Sequence, residues 1–381
     1  MTATEEAPVI TRGGVRTVPA PSFAHLSRLT DDTGLFEHAR HSTARRQHGY
    51  CTDDVARGLV VTCRERDPSR EVLNLAERYL AFLAHAQDAD GAFHNRLDFD
   101  RRWTDQPGLG DWWGRALWGL GTAAARGPAP WIRDEAHLAF ARGATRRSTS
   151  PRAMAFAGLG AAELLRADPD HELAADLLTD ASVAVGRPSH DPRWPWPDSR
   201  LTYANAALAE VLVAAGGLLD DPALLAGGLR MLGWLLHIQM TEEHLSVLPS
   251  AGWQRGGPRR RHDQQPIEVA PLADACATAA AVTGDPDWDV GVRRCVDWFL
   301  GANDIGEAMW DPATGGGFDG LTLQGPNRNQ GAESTLALVS TLQHHVTARD
   351  HREIPRPGSD GGGARSGATG SERFDGPGGR A

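Results

Sequence analysis

The stretch His48-Gly49-Tyr50-Cys51-Thr52-Asp53-Asp54-Val55-Ala56-Arg57-Gly58 reads as a tight loop followed by a helix. Gly49 permits a turn that a residue with Cβ resists. Thr52 is placed to cap the helix, its hydroxyl accepting a backbone N–H of the first turn. Asp53 and Asp54 follow at the positive end of the helix dipole. Acids there stabilise a helix start; they also line any polar site that the start faces. The arrangement recurs in GDWWGRALWGLG (110–121), TSPRAMAFAGLG (149–160), RLTYANAALAEVL (200–212), DQQPIEVAPLADA (263–275) and NRNQGAESTLALV (327–339). Each opens on polar, Gly or Pro residues and runs into small, apolar, nearly uncharged sequence. Such helices are buried nearly all round.

Between these lie amphipathic segments at 71–86, 131–143, 171–184, 222–239 and 286–300, and 23–40 supplies a sixth. Alternating buried and amphipathic helices predict an all-α fold, a single-domain (α/α)6 barrel of six hairpins. Its inner helices start near 52, 111, 151, 201, 266 and 330. Inner helices in such a barrel run parallel, so the polar starts converge on one rim and residues far apart in sequence share one cleft. Residues 1–21 read as a flexible lead, 22–348 as the barrel and 349–381, rich in Gly, Ser and Arg, as a disordered tail.

The chain of 381 residues carries a net charge of −10 with acids and bases interspersed, which argues against a nucleic-acid partner. It has no apolar run of membrane-spanning length and no secretory signal, so no membrane partner and a cytoplasmic location are expected. Cys51, Cys63, Cys276 and Cys295 show neither CxxC nor zinc spacing and read as reduced, buried thiols. Cys51 stands in the opening motif without an obvious base beside it. Every basic residue other than histidine is arginine. This excludes a lysine Schiff base and a P-loop, which needs GK[ST]. No GxGxxG follows a strand-like run, so no cofactor is expected. Nor is a metal: HExxH is absent, and Asp98-Phe99-Asp100 has no α/β scaffold around it.

Twelve tryptophans stand against three tyrosines, many of them in loops. Loop tryptophans on a cleft rim suit flat apolar faces such as sugar rings, with polar groups around them. Trp112, Trp113 and Trp196 are expected to border the cleft. The helix starts and long loops also supply His48, Tyr50, Asp53, Arg57, Asn95, Asp100, Arg102, Arg115, Arg152, Tyr203, Asn205, Gln264, Gln265, Asn327, Asn329 and Gln330 as candidate substrate-binding residues. Glycosidic cleavage needs two carboxylates, one protonated and one ionised. Asp54, Asp111, Asp263, Glu268 and Glu333 are the candidates. The helix dipole favours an ionised Asp54, which casts it as base. Glu333 or Glu268, in less polar sequence, is cast as the acid, since burial raises a carboxyl pKa.

HGYCTDDVARGL, FHNRLDFDRRW, GRALWGLG, DQQPIE, DWFLGANDIG, DPATGGGFDGL and NRNQGAESTLA together resemble a bacterial family of six-hairpin, (α/α)6-toroid proteins. Its members are often labelled glycosyltransferase or glycosyltransferase-associated. The resemblance spans about residues 40–345 and implies carbohydrate metabolism. The likeness to six-hairpin glycosidases implies inversion. This chain departs from the family at Asp111-Trp112-Trp113, at Ala204 and at Pro271. The leading expectation is a two-carboxylate enzyme cleaving an oligosaccharide or glycan, a hydrolase or phosphorylase. The alternative is a non-catalytic glycan-binding partner of a glycosyltransferase. A terpenoid-cyclase-like toroid is disfavoured, because DDxxD and DxDD are absent and the candidate cleft is polar.

Overall fold

The computed structural model describes residues 18–353, with side chains through residue 347. Most of the expected lead and tail lie outside the described residues. The inner helices are α2 (Thr52–Arg64), α4 (Asp111–Arg126), α6 (Pro151–Ala167), α8 (Ala206–Leu218), α10 (Pro266–Thr283) and α12 (Ala332–Glu353). Each packs on the next, and α12 closes the ring against α2. The outer helices are α3 (Arg70–Ala86), α5 (Pro130–Gly143), α7 (Glu172–Val185), α9 (Pro222–Gln239) and α11 (Asp287–Phe299), each following its inner partner. The short α1 (Ala24–Leu29) completes the outer layer against α12. This is the expected (α/α)6 barrel.

Local chemistry explains the helix bounds. Ser69, Ser150 and Asp221 accept backbone N–H bonds at the starts of α3, α6 and α9. Proline occupies the first turn of α5, α6, α9 and α10, where its missing N–H costs nothing. Gly49 has φ +64°, as its place in the turn requires. Thr52 does not cap α2; its hydroxyl donates to the His94 carbonyl at 2.7 Å, and Cys51 stands at the cap position. The segment 23–40 is helical only over Ala24–Leu29, then doubles back as an antiparallel strand pair, Ala39–Arg40 with Thr43–Ala44. The start expected near 201 is delayed to Ala206, because Arg200–Leu201 pairs as a strand with Trp253–Gln254 and Ala204 takes φ +46°.

Glycines bring the inner backbones into contact. A Cβ at Gly114 would lie 2.1 Å from the Ala153 carbonyl, and one at Gly160 would lie 2.2 Å from that of Leu117. Both obstacles are backbone, so neither can swing aside. Gly160→Val should therefore prise α6 from α4 and lower stability by about 3 kcal/mol or more. Chemical denaturation checks this; an unchanged midpoint would show that the approach is not required.

The end of the barrel away from the N-terminal rim is tied by buried ions. Arg64 at the end of α2 donates to Asp274 of α10 at 2.7 Å and to Ser340 of α12 at 3.3 Å. His344 meets the same Asp274 oxygen at 2.5 Å. Glu163 of α6 pairs with Arg126 at 2.8 Å and Arg166 at 3.5 Å. Burial alone would raise the Asp274 pKa, but Arg64 and His344 outweigh it and hold the carboxyl below its usual range.

Candidate active site

Three inner helices deliver acids to one cavity of about 790 Å³. The helix α2 contributes Asp53, Asp54 and Arg57 from its first turns, α4 contributes Asp111 and Trp112, and α12 contributes Glu333 and Ser334. Tyr203 and Gln265 come from just ahead of α8 and α10. The connecting segments add Glu37, His38, Cys51, Asn95, Arg96, Asp319 and Asn327. The strand pair Tyr50–Cys51 with Arg96–Leu97 sets Cys51, Asn95 and Arg96 side by side on the wall.

Arg57 is the hub. Its Nη1 donates to Glu333 Oε2 at 3.0 Å, while its Nη2 donates to Asp53 Oδ2 at 3.1 Å and Asp54 Oδ1 at 2.5 Å. One oxygen from each of Asp53, Asp54 and Glu333 lies within 4.8 Å of the other two. That spacing would also suit a cation, and Arg57 already supplies one among those oxygens. Behind it, buried Arg115 pairs with Asp53 at 2.9 Å and lies over the Phe156 ring at 4.1 Å.

Asp54 is only 2% exposed. Burial is the main cause that pushes its pKa up to about 8; Arg57 opposes the shift, and Glu333, Asp53 and Glu37 add to it. That direction favours the protonated form of Asp54. The shift runs against the ionised form expected from the helix dipole, because desolvation and neighbouring like charges oppose that effect. Glu333, by contrast, has its side chain 42% exposed and paired with Arg57. One oxygen of Asp54 and one of Glu333 lie within 4.8 Å of each other; the carboxyl groups of inverting enzymes stand roughly 6.5–9.5 Å apart and those of retaining ones about 5–5.5 Å.

Asp111 accepts from Ser150 Oγ at 3.2 Å and from the Tyr203 hydroxyl. The Cys51 thiol donates to Asn95 at 3.3 Å, and burial holds its pKa well above the usual thiol value, so it is not a thiolate.

Other expected residues lie off the cavity. Glu268 is buried, accepting from the Ala204 N–H and from Asn205 Nδ2 at 3.0 Å, so it ties α10 to the start of α8. Burial pushes its pKa up to about 7 against those two hydrogen bonds. Asp263 is exposed outside the lining. Trp113 is 0% exposed and Trp196 is 3% exposed, the latter against Trp234. Adjacent helical residues point about 100° apart, which puts Trp112 on the wall and Trp113 in the core. Gln264 and Gln330 are buried in loop-bracing bonds, to Asp304 at 2.6 Å and to Thr314 at 2.6 Å. Tyr50 donates to Asp31, Arg152 to Thr202 and the His41 backbone to Asn329. Asp100 and Arg102 form an exposed pair at 3.6 Å. His48 meets the cavity-lining His38 edge-on at 4.9 Å without lining the cavity itself.

Glu37, His38, Arg96 and Asp319 were not among the expected site residues. They arrive on strand pairs and loops, which the helical pattern does not locate. The only signal was the Glu-x-Ala-Arg-His run over 37–41 and the Asp319 of the Gly-rich loop.

Glycan binding should quench tryptophan fluorescence through Trp112, whose indole N–H is fixed on the Phe93 carbonyl at 2.7 Å. Trp112→Ala should weaken binding roughly three- to tenfold, as loss of an aromatic contact does. Trp113→Ala should instead lower stability by about 3–5 kcal/mol. The reverse pattern in titration and melting would misplace the two rings.

No family model matches the chain, and no curated protein matches it. Solved structures do. A sugar epimerase from a ruminal bacterium aligns with TM-score 0.64 at 12% identity, covering 87% of this chain and 96% of its own. The cellobiose 2-epimerase of Spirochaeta thermophila aligns with TM-score 0.63 at 12% identity, covering 86% and 94%. A family 76 α-mannanase from Bacteroides thetaiotaomicron aligns with TM-score 0.55 at 9% identity, covering 80% and 88%. These likenesses establish the six-hairpin toroid fold, and these neighbours are carbohydrate-active. The glycosyltransferase label and the non-catalytic alternative find no support among them. No helix of the described residues is long and apolar enough to cross a membrane.

Proposed function

We propose that this protein cleaves a glycosidic bond, with Asp54 as general acid and Glu333 as nucleophile. The observation that carries the reading is a buried Asp54 beside a partly exposed Glu333 on the wall of a sugar-sized cavity, both held by Arg57. Asp54 gives its proton to the bridging oxygen as the bond from that oxygen to the anomeric carbon breaks. Glu333 bonds to the anomeric carbon, and the reducing-end sugar departs. Asp54, now a carboxylate, takes a proton from water, and that water displaces Glu333. The configuration is retained over the two displacements. Arg57 offsets the negative charge that alternates between the two acids.

Phosphorolysis is disfavoured. Arg259 is spent on the Ile238 and Ser246 carbonyls, and none of Arg259, Arg260 and Arg261 lines the cavity. A second reading draws on the close Asp54–Glu333 spacing. A base and an acid this close together could also move a proton between C1 and C2 of a free sugar, as an aldose–ketose isomerase must. Incubation with α- and β-linked oligosaccharides and with free aldoses in D2O, followed by proton NMR, separates the two. Cleavage products support the first reading; deuterium uptake at C2 without cleavage supports the second and overturns the first.

A further inference from the structure

We infer that the sugar this cavity takes carries a protonated amine, as an unacetylated aminohexose does; the inference rests on the cavity's being the sugar site. Six acidic side chains line it: Glu37, Asp53, Asp54, Asp111, Asp319 and Glu333. The two guanidiniums on the wall are already engaged, Arg57 by Asp53, Asp54 and Glu333, and Arg96 by Glu37. Asp111 and Asp319 are held by neutral donors alone. Asp111 has the Ser150 and Tyr203 hydroxyls; Asp319 has the Gly331 N–H at 2.8 Å and the Ser334 hydroxyl at 2.7 Å. Among the described residues no ion pair reaches either acid. Asp54 adds a separate feature. It lines the cavity while nearly fully buried, and among the described residues only its Oδ1 accepts a hydrogen bond, which leaves Oδ2 for a ligand.

A neutral sugar filling this space would strip water from Asp111 and Asp319 without bringing a counter-charge, which is costly in a low dielectric. A uronate or a sugar phosphate would add repulsion. An ammonium group supplies the missing charge and donates hydrogen bonds that a carboxylate accepts strongly. The bridging oxygen remains the target of Asp54, so the amine sets preference and takes no part in bond breaking.

The test uses glucosamine oligomers, their N-acetylated counterparts and neutral gluco-oligomers of equal length, compared by calorimetry and by cleavage assay. The amine-bearing oligomer should bind roughly tenfold or more tightly than the other two at low salt, and the margin should shrink as salt screens the charges. Asp319→Asn and Asp111→Asn should each cut the margin several-fold. The salt dependence of the unmodified protein is an independent readout should either variant fail to fold. Equal or weaker binding of the amine-bearing oligomer overturns the inference. Preferential binding without cleavage upholds it and removes the glycoside-cleaving reading. Cleavage of neutral oligomers without preference does the opposite.

Discussion

Asp54→Asn should lose about 10²–10⁴-fold in turnover while glycan binding changes little, because a general acid acts in the transition state. The pH profile should identify the same group. The proton that Asp54 donates is lost as pH rises through about 8, so the alkaline limb of kcat/KM should fall there. An activity that instead rises through that pH would make Asp54 the base. A stability signature accompanies the kinetic one. The folded-state pKa lies above the unfolded value, so the folded chain binds the proton more tightly. The contribution of Asp54 to stability therefore declines as pH rises from the ordinary carboxylate range to about 8. Asp54→Asn should flatten that part of the stability–pH curve. The cavity thus trades stability for a proton-holding acid, a frequent cost of functional sites.

Asp274→Ala should destabilise the barrel by about 3–5 kcal/mol, since removing one partner leaves buried charge uncompensated. Arg64 and Asp274 have side chains only 9% and 3% exposed, and they join α2 to α10 across the barrel floor. The pH sign is opposite to that of Asp54. The folded-state pKa of Asp274 is held below the unfolded value, so its stabilisation is present above the usual carboxylate range and is lost in stronger acid. Denaturant titrations of the variant at neutral pH measure the loss. A change below about 1 kcal/mol would mean the cluster is no more than a surface-like ion pair.

The barrel was legible because each inner helix joins a polar start to a long, nearly uncharged run, and both halves follow from burial. The starts at Thr52, Asp111, Pro151 and Pro266 fell where expected. Those near 201 and 330 came later, where strand pairing and backbone turns hold the polar residues outside the helix. Part of the site was legible for the same reason: Asp53, Asp54, Arg57, Asp111, Trp112 and Glu333 all lie in the first two turns of inner helices. What a helical pattern does not encode is rotation about the axis. Hence Trp113 turned into the core while Trp112 met the cavity, and Glu268 faced α8. Arg96 on its strand pair and Glu37 in the segment before Ala39–Arg40 depend on local geometry that no periodicity marks. The direction of the Asp54 shift was not legible, because its burial depends on packing that a linear pattern does not encode.

Turnover of Glu333→Gln, set against its glycan affinity, tests the two-carboxylate centre most directly. On whichever oligosaccharide the unmodified protein cleaves, the variant should lose about 10²-fold or more in kcat, with a Kd within a few-fold of the original. A variant that turns over at the original rate would contradict the assignment of the Asp54–Arg57–Glu333 cluster as the catalytic centre.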